Sequence, residues 1–248
     1  MSSKNEILEQ LGITPIWRSS NPECGGVVAS SDVKSSSESD EAPKTIDRGE
    51  SRDVNWGSLS EAVSGCQACV LFETRKKVVI GVGDRDADWL FVGEAPGAEE
   101  DETGEPFVGQ AGQLLDNMLR AIRLERGKNV YIANVVKCRP PENRNPTDVE
   151  IRACTQFLDQ QIDLINPRVI VALGRIAAER LVDYPGSLAK SRLTRFDYRG
   201  IPVVVTYHPA YLLRSPLDKS KAWEDLCFAV DTMREVAQVS EVTQKETV

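Results

Sequence analysis

Apolar residues along this chain fall into short β-rich runs separated by longer stretches with a helical repeat. Val78–Val82, Trp89–Gly93, Val130–Val136, Val169–Leu173 and Val203–Tyr207 are runs of the first kind and predict strands. Between them, Leu114, Leu115, Met118, Leu119 and Ile122 lie on one face of a helix. Ile151, Cys154, Phe157, Leu158, Ile162 and Ile165 repeat that stripe, and Thr147 with Glu150 three residues on forms a capping box at its start. Ile176, Ala177, Arg180 and Leu181 predict a third helix opened by Gly174, and Trp223 to Val236 a long last one. Strands alternating with helices imply a parallel sheet covered on both faces, with any site beyond the carboxyl ends of the strands.

The pattern is absent near the amino terminus. Ser30 to Glu41 is rich in Ser and acids with Val33 as its one apolar residue, too little to offset the entropy of ordering. Residues 19–55 therefore read as a disordered linker. Ahead of it, Ile7, Leu8, Leu11, Ile13, Ile16 and Trp17 form an apolar patch without a core of its own, which makes residues 1–18 either a frayed end or a docking peptide. The folded domain is expected over 56–230, followed by the end of the last helix and a tail over 231–248.

Charge sharpens the picture. The chain of 248 residues has 38 acids, 30 bases and a net charge of -8, which argues against holding nucleic acid by bulk basicity. The imbalance is local: nine acids lie between Asp84 and Glu105 against Arg85 alone, whereas residues 106–230 hold 18 bases and 13 acids. No apolar run approaches the roughly 18 residues of a membrane helix, and Met1 to Gln10 lacks an apolar signal core. A cytoplasmic, monomeric protein without a membrane partner is expected. In a reducing compartment its six Cys point to metal ligands or buried thiols before disulfides.

Four of those cysteines have a suggestive placement. Cys66 and Cys69 form a C-x2-C turn ahead of the first strand, Cys138 follows a strand end, and Cys154 lies in the next helix. Four converging thiolates suit zinc or an iron–sulfur cluster, and spacing alone leaves both open beside a single knuckle with two unrelated buried thiols. Cys24, in the linker, and Cys227, on a helical core stripe, look uninvolved.

The other chemistry gathers where strands end. Gly93-Glu94-Ala95-Pro96-Gly97 is a tight turn after the strand at Trp89, and its loop runs on through Glu100 to Pro106-Phe107-Val108-Gly109. A ring between Pro and Gly in a loop is a stacking platform. Asn134 ends a strand and carries both a donor and an acceptor, enough to read a base edge. Lys137, Arg139 and Arg144 make the following loop basic and suited to phosphates. The only His, His208, closes the last strand beside Pro209, so any His-dependent step must use it. Leu212, Leu213 and Arg214 beyond it have the character of an apolar wedge with a phosphate contact.

Together, Gly93-Glu94-Ala95-Pro96-Gly97, Pro106-Phe107-Val108-Gly109, Asn134-Val135-Val136-Lys137-Cys138-Arg139-Pro140-Pro141 and His208-Pro209-Ala210-Tyr211 resemble the family 4, iron–sulfur type, uracil-DNA glycosylases. The likeness covers about residues 56–230. It implies an α/β fold, a three-layer αβα sandwich around a mainly parallel four-stranded sheet. It implies a [4Fe-4S] cluster on Cys66, Cys69, Cys138 and Cys154. It further implies that Glu94 and Ala95 line a uracil site, that Phe107 stacks on the flipped base, that Asn134 bonds its edge and that His208 belongs to the second motif; from the chemistry of a uracil anion, His208 is expected to stabilise the leaving group. Glu100 and Asn143 match positions tied to activity. The position where the wider superfamily carries an activating Asp is Ala95 here, so a strong general base is not implied.

Two rivals belong to other classes. One is a uracil-DNA binder that traps its product covalently, which uses an extra His-bearing insert that the short Cys138–Pro146 loop lacks. The other is a non-catalytic iron–sulfur accessory module. Separately, Leu8 to Trp17 resembles the start of the bacterial clamp-loader psi subunit, which implies a tether to a replication clamp-loader component through residues 4–18.

Overall fold

A computed structural model describes residues 55–182 and 186–246 of the chain. The expectations for residues 1–18, for the linker up to 54 and for Cys24 lie outside the described residues. The elements in order are α1 (Trp56–Ser64), β1 (Val82–Gly83), β2 (Trp89–Gly93), α2 (Ala98–Thr103), α3 (Gln110–Ala121), β3 (Val130–Asn134), α4 (Asp148–Ile165), β4 (Val169–Leu173), α5 (Arg175–Leu181), α6 (Leu188–Ser191), β5 (Arg195–Tyr198), β6 (Ile201–Thr206), α7 (Pro209–Arg214) and α8 (Lys219–Glu246).

The sheet has six strands in the order β1-β3-β2-β4-β6-β5 rather than the expected four. β3, β2, β4 and β6 are parallel, and β1 and β5 flank them antiparallel. The parallel strands read as continuous apolar runs because both faces are covered: every residue of β2, β3 and β4 is buried. Leu90, Val92, Tyr131, Ala133, Ile170, Ala172, Val203 and Val205 pack with Leu158 and Ile162 of α4 and Ala177 and Leu181 of α5 in one core. Their alternates, including Phe91, Ile132, Val171 and Val204, are also buried, and α8 packs against β6 and β4.

The strand expected over Val78–Val82 shrinks to Val82–Gly83. Gly81 and Gly83 have positive φ of 150° and 137°, which bends the backbone out of the ladder. The segment still docks, with the Val79 amide donating to the Lys137 carbonyl at 2.8 Å. The antiparallel edge strand β5 is charged and half-exposed, as edges must be to avoid pairing with other chains, and a strand of that composition carries no apolar signal. A tight turn at Arg199 and Gly200, both with positive φ, returns it to β6. Among the described residues no helix is long and apolar enough to cross a membrane.

The capping box at α4 is present as expected: the Thr147 hydroxyl accepts from the Glu150 amide, and the Glu150 carboxylate accepts from the Thr147 amide at 2.7 Å. Glu150 also takes both terminal nitrogens of Arg144, at 2.8 and 2.6 Å. The Arg144 guanidinium holds this carboxyl down to about 2. A depressed carboxylate stabilises the fold above its unfolded pKa and loses that contribution as pH falls through the folded value. Glu150→Gln should therefore unfold at lower urea than the parent near neutral pH, with the gap closing between about pH 4.5 and 2. Urea midpoints that differ equally at both ends of that range would contradict the assignment.

Candidate active site

The carboxyl ends of the parallel strands open into a cleft of about 750 Å³, lined among others by Glu94, Ala95, Phe107, Asn134, Asn143 and His208. Gly93, the last residue of β2, faces Asn134, the last of β3, in the ladder. A β-carbon on Gly93 would lie 2.5 Å from the Asn134 Oδ1 and 2.5 Å from the Phe107 ring. Only the bare glycine lets these two side chains converge. Asn134 is buried, and its Oδ1 has no hydrogen-bond partner among the described residues. A buried amide oxygen without a partner carries an unmet desolvation cost, which a ligand N–H would relieve.

Phe107 is buried and sits at φ 56°, the left-handed region. Its ring centroid is 5.5 Å from that of His208, with 30° between the planes. Glu100 organises this loop rather than facing outward. Its Oε1 accepts from the Val108 and Gly109 amides at 2.9 and 3.2 Å, and its Oε2 from the Gly97 amide at 3.1 Å. The stretch holding Glu100, expected as loop, is the short helix α2, and its carboxylate takes the Gly97 amide at the start of that helix as an acidic first-turn residue should.

His208 caps α7: its Nδ1 accepts from the Ala210 amide at 3.2 Å. The ring proton of the neutral imidazole therefore lies on Nε2. Loss of water around the ring, followed by the nearby Arg214 charge, pushes its pKa down to about 4. Gly174, at φ 92°, leaves no room for a β-carbon beside the His208 Cβ, so the start of α5 closes on the imidazole. Glu94 is half-buried, and desolvation raises its pKa against the opposing Arg175 charge. Asn143, at φ 55°, accepts from Arg139 Nε at 2.8 Å on the cleft wall.

Two of the residues expected to meet DNA turn inward. Lys137 is fully buried. Its Nζ donates to the Asn134 carbonyl at 2.7 Å and to Gln161 Oε1 at 2.5 Å, and desolvation lowers it to about 8. An ammonium so placed cannot reach a phosphate; it braces the strand end that carries Asn134. Leu212 is also fully buried and cannot act as a wedge, because α7 presents that position to the core. Arg144 is committed to Glu150. Arg139 and Arg214 remain available, with Leu213 40% exposed. Sequence reasoning missed Tyr211, whose ring stacks on Tyr207 at 5.3 Å and lines the cleft. It also missed the wall at Ser187–Ala189 and the exposed Leu217, 91% open beyond α7.

The four cysteines singled out above line one small cavity with Ala68, Phe72, Arg75 and Lys137. Arg75 Nη1 donates to Cys138 Sγ at 3.1 Å, and the Lys137 amide to Cys154 Sγ at 3.3 Å. Burial pushes the Cys154 thiol up to about 11. Among the described residues, no three His, Cys, Asp or Glu side chains are grouped to hold a single metal ion.

Known proteins resemble this chain over its folded part. The profile of the Uracil DNA glycosylase superfamily matches residues 80–227. A type-4 uracil-DNA glycosylase of Thermotoga maritima is 52% identical over 159 residues, 63% of this chain and 82% of that protein. One from Pyrobaculum aerophilum is 44% identical over 176 residues, 68% of this chain and 89% of that protein. The chain belongs to the uracil DNA glycosylase superfamily.

Because His208 is the only histidine, its ring gives a single set of imidazole NMR signals. These should show the Nε2–H tautomer near neutral pH and a titration midpoint near 4. An Nδ1–H tautomer, or a midpoint near the ordinary histidine value, would contradict the cap.

Proposed function

We propose that this protein is a type-4 uracil-DNA glycosylase: a repair enzyme that draws uracil out of DNA and hydrolyses its N-glycosidic bond, leaving an abasic site. The observation that carries the reading is the convergence, in one cleft at the strand ends, of a buried partnerless Asn134 amide oxygen, a stacking ring and a neutral Nε2–H imidazole. A duplex hides C1′, so the base must leave the stack, at a cost of a few kcal/mol. Phe107 offers its face to the extruded ring. Asn134 Oδ1 accepts the uracil N3–H and its amide nitrogen donates to O4. Cytosine presents the opposite pattern at these two positions and is refused.

Water adds at C1′ as the C1′–N1 bond breaks, and the bonding pair leaves with uracil as its anion. The water proton passes to solvent or to Glu94, whose raised pKa suits an acceptor near the sugar. Negative charge on uracil O2 is met by the Nε2–H of His208, with amides near Glu94 and Ala95 assisting. A neutral donor suits this task, because it stabilises the anion without handing over its proton. Asn143 and Glu100 are assigned to holding the cleft wall and the Phe107 loop. Arg139 and Arg214 take phosphates, and Leu213 and Leu217 supply apolar surface at the rim for the gap the base leaves.

The cysteine cavity brings four thiols together, the donor set that an iron–sulfur cluster takes. N–H groups of Arg75 and Lys137 already point at two of the sulfurs, as donors to cluster thiolates do. Cys66, Cys69, Cys138 and Cys154 would hold a [4Fe-4S] group. Bound there, it supplies cross-links between the segment after α1, the loop after β3 and α4, a structural service. A tether to a clamp-loader component through residues 4–18 remains a separate proposal, tested by pull-down with residues 1–20 deleted.

His208→Asn should lower single-turnover uracil release from a defined oligonucleotide by about 100-fold or more while leaving DNA affinity nearly unchanged. Release by the parent should be flat from about pH 6 to 8, since the imidazole stays neutral there. Undiminished release by the variant would remove His208 from the reaction. The purified protein should also contain iron and acid-labile sulfide, both lost with a broad visible absorbance in Cys138→Ala; a metal-free, colourless active protein would refute the cluster.

A further inference from the structure

We propose that Arg126 is the positioning residue for the stacking ring, acting through the Phe107 backbone and never touching substrate; this rests on the reading of Phe107 as the platform for the flipped base. Arg126 lies in the loop after α3, with a side chain 24% exposed. Its Nε donates to Asp116 Oδ1 at 2.9 Å, its Nη1 to the Pro106 carbonyl at 2.9 Å and its Nη2 to the Phe107 carbonyl at 2.9 Å. All three nitrogens of the fork are engaged, two of them by successive carbonyls of one loop.

Those two carbonyls bracket the residue with the least comfortable backbone in the site. Phe107 has φ 56°, a conformation a side-chain-bearing residue keeps only where its surroundings impose it. The surroundings here come from three sides. The guanidinium grips the carbonyls of Pro106 and Phe107. The Glu100 carboxylate grips the next two amides, those of Val108 and Gly109. Gly112 brings the first turn of α3 flush against the Phe107 carbonyl, where any β-carbon would collide. A cation on the carbonyls and an anion on the following amides fix the peptide planes on both sides of the Phe107 Cα. That in turn fixes the ring against Gly93 and 5.5 Å from His208.

A lysine at 126 would not serve, because one ammonium cannot span two carbonyls and Asp116 in a plane. Without the fork, Phe107 has two unpartnered carbonyls beside it and a route back to an ordinary φ, which carries the ring away from the cleft. Misplacement of a reacting group by about 1 Å costs on the order of 100-fold in rate. The sequence holds no signal for this, since Arg126 sits in a polar loop among Glu125, Gly127 and Lys128.

The test is a double-mutant cycle of Arg126→Gln and Phe107→Ala, read by single-turnover uracil release from duplex DNA and by the imidazole NMR shift of His208, which senses the neighbouring ring. Arg126→Gln alone should lose about 10- to 100-fold in release, move the His208 signals toward their Phe107→Ala positions, and recover little with Arg126→Lys. In the Phe107→Ala background it should cost less than about 2-fold, because the coupled group is gone. An equal loss in both backgrounds, or unmoved His208 signals, overturns the inference while leaving the stacking reading intact. Parent-like release by Phe107→Ala overturns the stacking reading and the inference with it. Should Arg126→Gln fail to fold, Asp116→Asn, which keeps both carbonyl bonds but loosens the fork, must show a smaller loss that is likewise silent in the Phe107→Ala background.

Discussion

The pairing of Gly93 with Asn134 across parallel β2 and β3 is the constraint on which the rest of the site depends. Parallel register places the two residues side by side where both strands end. Because one of them has no side chain, the other can turn its amide across the vacated space toward Phe107. Lengthening either strand by a residue, or adding one carbon at Gly93, separates the Asn134 amide from the Phe107 ring. Neither Asn134 nor Phe107 is unusual alone; the geometry comes from the glycine between them.

That strand end is held from behind by a second constraint. Asn134 and Lys137 bracket the turn out of β3, and the Lys137 ammonium folds back onto the Asn134 carbonyl and Gln161. Gln161 is anchored in turn to the Ile80 carbonyl at 2.9 Å. Burying an ammonium is expensive, and strong acceptors on its hydrogens offset that cost. Two are accounted for by these bonds. The amide of the same lysine reaches Cys154 Sγ, and the next residue is Cys138. Lys137 thus joins the Asn134 backbone to the cysteine cavity by a short, buried, hydrogen-bonded path. A group tying those cysteines together, as proposed above, would stiffen the strand end that carries Asn134.

The legible parts of the sequence were those written in periodic apolar runs or in short motifs with backbone meaning. β2 and β4 fall on their expected spans, the α4 capping box has its expected bonds, and His208, Phe107, Asn134 and Glu94 meet in one cleft. What failed had a common cause: local composition does not report which way a side chain faces. Lys137 and Leu212 sit in segments that look basic and apolar in the right places, but strand-end and helix geometry turn both inward. β5 was invisible because an edge strand that avoids aggregation is charged. Arg126 acts across some twenty residues of chain, on the Pro106 and Phe107 carbonyls, a distance no local window spans.

The overall negative charge bears on function through its placement. Within the stretch from Asp84 to Glu105, several carboxylates are spent on the protein itself. Glu100 caps amides of the Phe107 loop, Asp101 is buried and accepts from the Lys76 amide at 2.9 Å, and Asp88 pairs with Arg168 at 3.1 Å. An acid bound to backbone amides offsets their partial positive charge and projects little field outward. The cleft lining, by contrast, includes Arg214, Arg144 and Arg175, and Arg139 reaches its wall through the bond to Asn143. A polyanion approaching this face meets local positive charge despite the negative total, and screening over about 10 Å at ordinary ionic strength hides the more distant acids from it. The phosphate contacts proposed for Arg139 and Arg214 are few, and binding through them would be sensitive to salt.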